Sequence, residues 1–372
     1  MRIKINKKII ILVLAILGII ASPILTTSFI HSILYWNYFL TENADEQFSN
    51  CAMSEDGKFV VVGSGNDYLY LFTYDNSTPL WRYRMNSDVV RVDISADGQY
   101  IIACEEEGAV WLFEKDDPNP ILIYKYLQFV EAKISADGNY IIMFAGETLL
   151  LYQRDGLICL WTKHIPMGGF PLVEISDDGN EIVATSNGIL YYFERSSSSP
   201  IWQYDTGEIF IMSLVISADG DLVAVGGQNR RIDLFNKTCP IPFRSYYTSG
   251  SIRELSMSED GSYVIAGCPN ECILYYCLNK TYLWIYPVSC DSSEVAISSD
   301  GNYIIVGNSN YDNEDYILYC FNNTQGEPCW SSRVKGIINN VAISKYGDYI
   351  GVVTQNFFYY IDRIKSNIIS FT

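Results

Sequence analysis

Val90-Arg91-Val92-Asp93-Ile94-Ser95-Ala96-Asp97-Gly98-Gln99-Tyr100-Ile101-Ile102-Ala103 is the stretch that decides the fold. Val90, Val92 and Ile94 alternate with Arg91 and Asp93, the period of a half-buried strand. Asp97-Gly98 is a hairpin turn, because glycine accepts positive φ and aspartate bonds its own backbone. Tyr100 to Ala103 then begins a second strand. Further on, Val110-Trp111-Leu112-Phe113 reads as a third strand. The turn Asp117-Pro118-Asn119-Pro120 leads to a fourth, Ile121 to Tyr124. Four short strands joined by tight turns make one antiparallel sheet.

The Ser-x-Asp-Gly core recurs along the chain. Its glycines are Gly57, Gly98, Gly138, Gly179, Gly220, Gly261, Gly301 and, with tyrosine in place of aspartate, Gly347. Successive steps are 41, 40, 41, 41, 41, 40 and 46 residues. A period of about 40–45 residues built from short strands marks a β-propeller with one blade per repeat. The chain is therefore expected to be all-β, an eight-bladed propeller of four-stranded antiparallel blades over residues 50–372, preceded by one N-terminal transmembrane helix.

The fourth strand has its own recurring core. It reads Pro79-Leu80-Trp81-Arg82-Tyr83, Cys159-Leu160-Trp161, Pro200-Ile201-Trp202-Gln203-Tyr204, Tyr282-Leu283-Trp284-Ile285-Tyr286 and Pro328-Cys329-Trp330. Repetition at one repeat position argues for packing, with each ring wedged between neighbouring blades. These repeats resemble the WD40-like and the quinoprotein-like (PQQ-type) propeller repeats. Two departures from the former stand out. No Trp-Asp dipeptide ends a third strand, and no Gly-His pair opens a repeat. Nor is there the adjacent cysteine pair or cofactor clamp of quinoprotein dehydrogenases. The Pro-Leu/Ile-Trp-x-Tyr strand looks more like the quinoprotein-like group, including its non-enzymatic scaffolds. The resemblance implies a fold and says little of activity, since propellers host many functions.

At the N-terminus, Arg2, Lys4, Lys7 and Lys8 form a basic tail (1–8) ahead of an apolar run from Ile9. Residues 9–30 are long enough to cross ~30 Å of hydrocarbon at about 1.5 Å per residue. The next cation is Lys58, with Glu42, Asp45 and Glu46 between. That asymmetry places the tail inside and the propeller outside a cell membrane, on a single-pass signal anchor. A cleaved signal peptide is the alternative, with Thr26-Thr27-Ser28 as its best cleavage site. Residues 31–49 form a juxtamembrane segment. Within it Leu34-Tyr35-Trp36-Asn37-Tyr38 matches the fourth-strand pattern and can complete blade eight; Ile368-Ile369-Ser370-Phe371 is the rival for that strand.

Outside the cell, cysteines and sequons acquire meaning. There are ten cysteines. Cys320 and Cys329 face one another across the third and fourth strands of blade seven, a candidate disulfide. Cys268, Cys272 and Cys277 cluster in blade six, where zinc is the sharper reading and buried small hydrophobes the plainer one. Asn76, Asn236, Asn279 and Asn322 open glycosylation sequons in third-to-fourth-strand turns, where Asn, Ser and Thr are also ordinary turn residues.

The formal net charge is −18. Four of the 25 Lys and Arg precede residue 9, so the remainder carries 21 cations against 43 acids, net −22. Such a surface is repelled by phosphate backbones, which argues against nucleic-acid binding. Catalytic signatures are missing. There are two histidines, His31 and His164, and no phosphate loop, His-Glu-x-x-His or Gly-x-Ser-x-Gly. No cofactor is called for. Asn308, Asn310, Asp312 and Asp315 offer alternating oxygens for Ca²⁺ without the fixed Gly and terminal Glu of an EF-hand loop; the plainer reading is a solvated hairpin tip.

In a propeller the second-to-third-strand turns and the blade-to-blade connections share one face, here the loop face. The Asp-Gly turns and sequons share the opposite turn face. Loop-face residues vary from blade to blade, and Glu105, Glu106, Glu107, Arg230 and Arg231 are the candidate interaction residues. The expectation is a membrane-anchored, extracytoplasmic, non-catalytic scaffold for protein partners. The alternative is an exported quinoprotein-like enzyme, or a binder of small ligands or carbohydrate at the central channel.

Overall fold

The computed structural model describes residues 47–125, 130–207, 210–277, 281–288, 292–311 and 314–363. The propeller lies within the compact unit Tyr38–Ile361. Eight antiparallel sheets follow one another in chain order: 48–84, 89–125, 130–164, 172–205, 211–247, 254–287, 292–333 and 338–362. Seven have four strands; the eighth has three among the described residues. Inner strands pack against their neighbours around a channel, and Ile338–Ile343 of blade eight packs on Phe48–Met53 of blade one, so the ring closes. Residues 9–30 and both rival closing strands, 34–38 and 368–371, lie outside the described residues. No helix among the described residues is long and apolar enough to cross a membrane.

Turn chemistry explains why the motif recurs. In Ser95-Ala96-Asp97-Gly98, the buried Ser95 Oγ donates to Asp97 Oδ1 (2.7 Å) and accepts from Tyr100 N–H (3.0 Å). Asp97 also accepts from Gln99 N–H (2.9 Å). The serine ties the hairpin's ends together while the aspartate orders the turn. Blade eight has Tyr346 for the aspartate, yet Ser344 Oγ still accepts from Tyr349 N–H at 3.0 Å. These polar side chains are architectural.

The blades interlock at three depths. Outermost, each of four fourth-strand tryptophans stacks on a phenylalanine of the next blade: Trp81 on Phe113 (5.5 Å), Trp161 on Phe193 (5.7 Å), Trp202 on Phe235 (5.7 Å) and Trp284 on Phe321 (5.1 Å). The same indole N–H groups donate to Lys115, Arg195, Lys237 and Asn323 carbonyls at 2.8–3.3 Å. Trp330 has no such acceptor; its Nε1 is buried without a hydrogen bond, beside the blade with three described strands. The packing reading of these tryptophans holds. Midway, the aromatic after one turn covers the glycine of the next, as Tyr140 covers Gly179.

Innermost, the residue between Ser and Asp in each motif links its blade to the next through the peptide backbone. Glu55 N–H donates to Ala96 O (3.0 Å), Ala96 to Ala136 (2.9 Å), Asp137 to Asp177 (3.1 Å) and Asp177 to Ala218 (2.9 Å). Ala218 donates to Glu259 (2.9 Å), Glu259 to Ser299 (2.9 Å), Asp300 to Lys345 (3.3 Å) and Lys345 back to Glu55 (2.8 Å). Eight junctions thus carry eight peptide bonds in one closed circuit.

The outer strand of blade two differs from expectation. It spans Asp117–Lys125, so the turn is Lys115-Asp116 and both Pro118 and Pro120 stand inside the strand. The reason is its edge position. A proline lacks an N–H, and on an outermost strand alternate N–H groups face solvent, so nothing is lost from the ladder. Blade five repeats the device with Pro240 and Pro242 in Cys239–Tyr247.

Candidate functional site

The channel mouth on the turn face brings together motif residues far apart in sequence. A cavity of about 280 Å³ is lined by Glu55, Asp93, Lys133, Glu174, Asp177 and Glu259 among others. Carboxylate oxygens of Glu55, Asp177 and Glu259 lie within 4.8 Å of one another. Lys345 Nζ reaches both Glu55 and Glu259 at 3.1 Å, so the position a cation would take is already occupied by an ammonium. Asp177 is left with burial and two acidic neighbours, and its carboxyl is pushed up to about 6.

Deeper in the channel, side chains bind the inner strand of the following blade. Asn50 Oδ1 accepts from Val92 N–H (3.2 Å), Asp93 Oδ2 from Ile134 N–H (2.9 Å), and Ser213 Oγ from Leu255 N–H (2.9 Å). Glu254 Oε2 accepts from Val295 N–H (2.8 Å), Ser256 Oγ from Ile297 N–H (3.2 Å), and Asn340 Oδ1 from Cys51 N–H (3.1 Å). Lys133 pairs with Glu174 (2.9 Å) and Arg91 with Glu131 (3.4 Å). Burial alone would depress Lys133, but Glu174, Asp93 and Glu131 outweigh it and raise it. Burial pushes Glu174 up to about 7, since it shares Lys133 with Asp93 and Glu131. Glu294 rises well above the carboxylate range, first from burial and then from Glu254, to which it is hydrogen-bonded. These groups work as fasteners, and their crowding makes the channel hold protons.

A pH dependence follows. A carboxyl raised on folding stays protonated in the folded channel at a pH where the unfolded chain has released its proton. Stability is then full below the unfolded value and is lost as pH rises through the folded one. The window runs from the ordinary carboxylate range through about 6 for Asp177 and about 7 for Glu174, and higher for Glu294. The melting temperature is expected to fall by on the order of 5 °C from pH 5 to pH 8. The overall negative charge pushes the same way, so the decisive arm is Glu294→Gln, which keeps a donor for Glu254 and should flatten the profile in calorimetry. An unchanged slope in that variant would remove Glu294 from the account.

On the loop face the five candidate residues divide. Glu106, Glu107 and Arg230 are exposed. Glu105 is buried, and its Oε1 accepts from Asn86 N–H (2.6 Å). Arg231 pairs with the buried Asp233 (2.6 Å) and donates to Thr206 O (3.0 Å). Glu105 and Arg231 therefore brace their loops, and three of the five remain presented.

The remaining candidates are placed as follows. Asn308 is buried opposite Ile317, and Asn310 lies opposite Asp315 at the end of an extended hairpin, Tyr303–Asn310 with Asp315–Asn322. Asp315 pairs with Arg333 (3.3 Å), and Asp312 lies outside the described residues. The Cys320–Cys329 bridge is not formed. Cys329 N–H donates to Cys320 O (2.7 Å), but the Cys320 thiol is buried in the blade and the Cys329 thiol is exposed. The zinc reading also fails. Cys268 and Cys277 join one core cluster and Cys272 another, on the opposite face of the blade. Burial pushes the Cys277 thiol up to about 12. Asn76, Asn236 and Asn322 each accept from the N–H two residues on (3.1 Å), the local turn bond of the plainer reading. Asn279 lies outside the described residues.

No protein-family model and no curated protein matches the chain. Among solved structures it is similar to the C-terminal WD40 domain of Sif2, with a TM-score of 0.73 at 17% identity over 87% of this chain and 98% of that one. The fold is that of a WD40-type β-propeller. The likeness bears out the WD40-like resemblance and adds nothing to the quinoprotein-like one. The Ser-x-Asp-Gly turn stands where strict WD40 repeats would carry their Trp-Asp and Gly-His pairs.

Proposed function

We infer that this chain is a non-catalytic interaction scaffold, a WD40-type propeller held at a membrane by residues 9–30 with its blades on the extracytoplasmic side. One observation carries the scaffold reading. Polar groups of the turn face and channel are engaged in joining blade to blade, whereas the loop face presents Glu106, Glu107 and Arg230, which differ between blades and are exposed. Varied side chains on a rigid frame suit recognition of a protein partner. The net charge of −18 favours such a partner over nucleic acid. The basic tail and apolar run support the anchor.

The test is affinity purification of the full chain in mild detergent, beside Glu106→Lys/Glu107→Lys/Arg230→Glu and beside a form lacking residues 1–30. A stoichiometric partner lost by at least tenfold in the triple variant is expected. The full chain should sediment with membranes and the shortened one should not. Equal recovery from wild type and triple variant would end the loop-face reading, and a membrane-free full chain would end the anchored one.

A further inference from the structure

One sector of the loop face has a built character that the others lack. Phe170 and Phe210, in the connections entering blades four and five, are 52% and 42% exposed, and their rings lie 6.3 Å apart. Met167 is 40% exposed in the first of these connections, and Tyr247 is 74% exposed at the end of the outer strand of blade five. Large apolar side chains in contact with one another yet turned to solvent are unusual on a soluble surface.

The backbone beneath them is fixed. Asn187 N–H donates to Gly168 O (2.6 Å), and Ser186 Oγ donates to Pro166 O (2.8 Å). A Cβ on Gly168 would stand 2.6 Å from Asn187 Oδ1, and one on Gly227 would stand 2.4 Å from Phe210 O. Both connections are thus pressed against neighbouring turns with no room for a side chain between. Gln228 N–H approaches Phe210 O (3.4 Å), and Arg231 Nη2 donates to Thr206 O (3.0 Å), which locks the second connection to the turn of blade five. Rings held this way lose little freedom on binding.

Charge selects the occupant. Arg231 is neutralised by Asp233, but Arg230, two residues from Gln228, is exposed, and its carbonyl accepts from Thr248 N–H (3.0 Å). Asp205, the nearest acid of the second connection, is turned onto Gly207 N–H (2.9 Å). On a chain of net −18, this cation beside an aromatic pair is a local reversal of sign. We propose that Phe170, Phe210 and Arg230 form a docking site for a short peptide segment of a protein partner, one carrying apolar side chains followed closely by a carboxylate. The rings take the apolar side chains and the guanidinium takes the carboxylate. The proposal rests on the scaffold reading above and names the sector that does the binding.

The experiment is selection of a random peptide library displayed on phage against the immobilised full chain. Enriched peptides are then measured on wild type, Phe170→Ala/Phe210→Ala and Arg230→Glu. All three side chains are exposed, so circular dichroism and melting should match wild type. Enrichment of apolar residues with an adjacent Asp or Glu is expected, with binding weakened at least tenfold in the double alanine variant. Repeating the selection on Arg230→Glu should replace Asp and Glu by Lys and Arg. Peptides without an acidic bias, or ones that bind all three proteins equally, would overturn the site. If such peptides are instead displaced by changes at Glu55 and Glu259 on the turn face, the scaffold reading survives and this sector does not. A library that yields no binder would count against both. A dimer split by the double variant would show that the rings take a second copy of this chain, which also overturns the peptide.

Discussion

Replacing Trp202 by alanine is expected to lower stability by about 3–5 kcal/mol. The ring is 7% exposed and lies between Tyr192 of its own blade (5.0 Å) and Phe235 of the next (5.7 Å). Alanine removes both stacks and opens a void at a blade junction that rigid neighbouring sheets cannot fill. It also leaves Lys237 O without the indole N–H that now donates to it at 2.9 Å. Phenylalanine separates these effects. Trp202→Phe keeps most of the packing and loses the hydrogen bond, for about 1–2 kcal/mol. Trp330→Phe should cost less, because its N–H is buried with no partner to lose. Urea unfolding of the three variants makes the comparison. Equal costs for the two phenylalanine variants would mean that the indole bonds contribute nothing to the junctions.

The second large effect concerns Gly179. Its φ is +70°, and a Cβ there would stand 2.3 Å from Tyr140 Cδ2 and 2.8 Å from Tyr140 Cγ. Gly179→Ala therefore meets two penalties, a left-handed backbone and a collision with the ring of the preceding blade, together about 3 kcal/mol. Gly207→Ala is the control. Its φ is +69° with no atom within 4 Å of the added carbon, so it carries the backbone penalty alone, about 1 kcal/mol. The difference in unfolding midpoint measures the interblade contact. If the two variants melt together, Tyr140 yields freely and the glycine is kept only for its turn.

The repeat length and the Asp-Gly turns made the propeller legible, because a hairpin needs glycine at positive φ wherever it occurs. The fourth-strand tryptophans were legible for a related reason: one ring at one repeat position meets the same environment in every blade. The channel mouth escaped notice. Glu55, Asp177, Glu259 and Lys345 look like filler between Ser and Asp in single repeats, and only the closed ring makes neighbours of them. Reading that one column down all eight repeats would have found them. Phe170 and Phe210 gave a similar unread signal, being 40 residues apart in equivalent connections. Glu105 and Arg231 could not be sorted from their exposed neighbours, since adjacent turn residues differ only in which one meets a local partner. Nor could the split of Cys268 and Cys277 from Cys272 be read, because strand alternation does not carry through a hairpin of unknown register.

The closed circuit of peptide bonds at the channel mouth changes how the molecule should loosen. A linear stack of repeats frays from its ends, where a terminal unit has a single neighbour. Around this mouth every unit has two, and the chain's beginning and end do not mark a weak seam in the inner layer, since Lys345 and Glu55 are joined as Ala218 and Glu259 are. Opening one link leaves the other seven holding its partners in place. Slow amide exchange at the mouth should therefore be shared by all eight links and lost together.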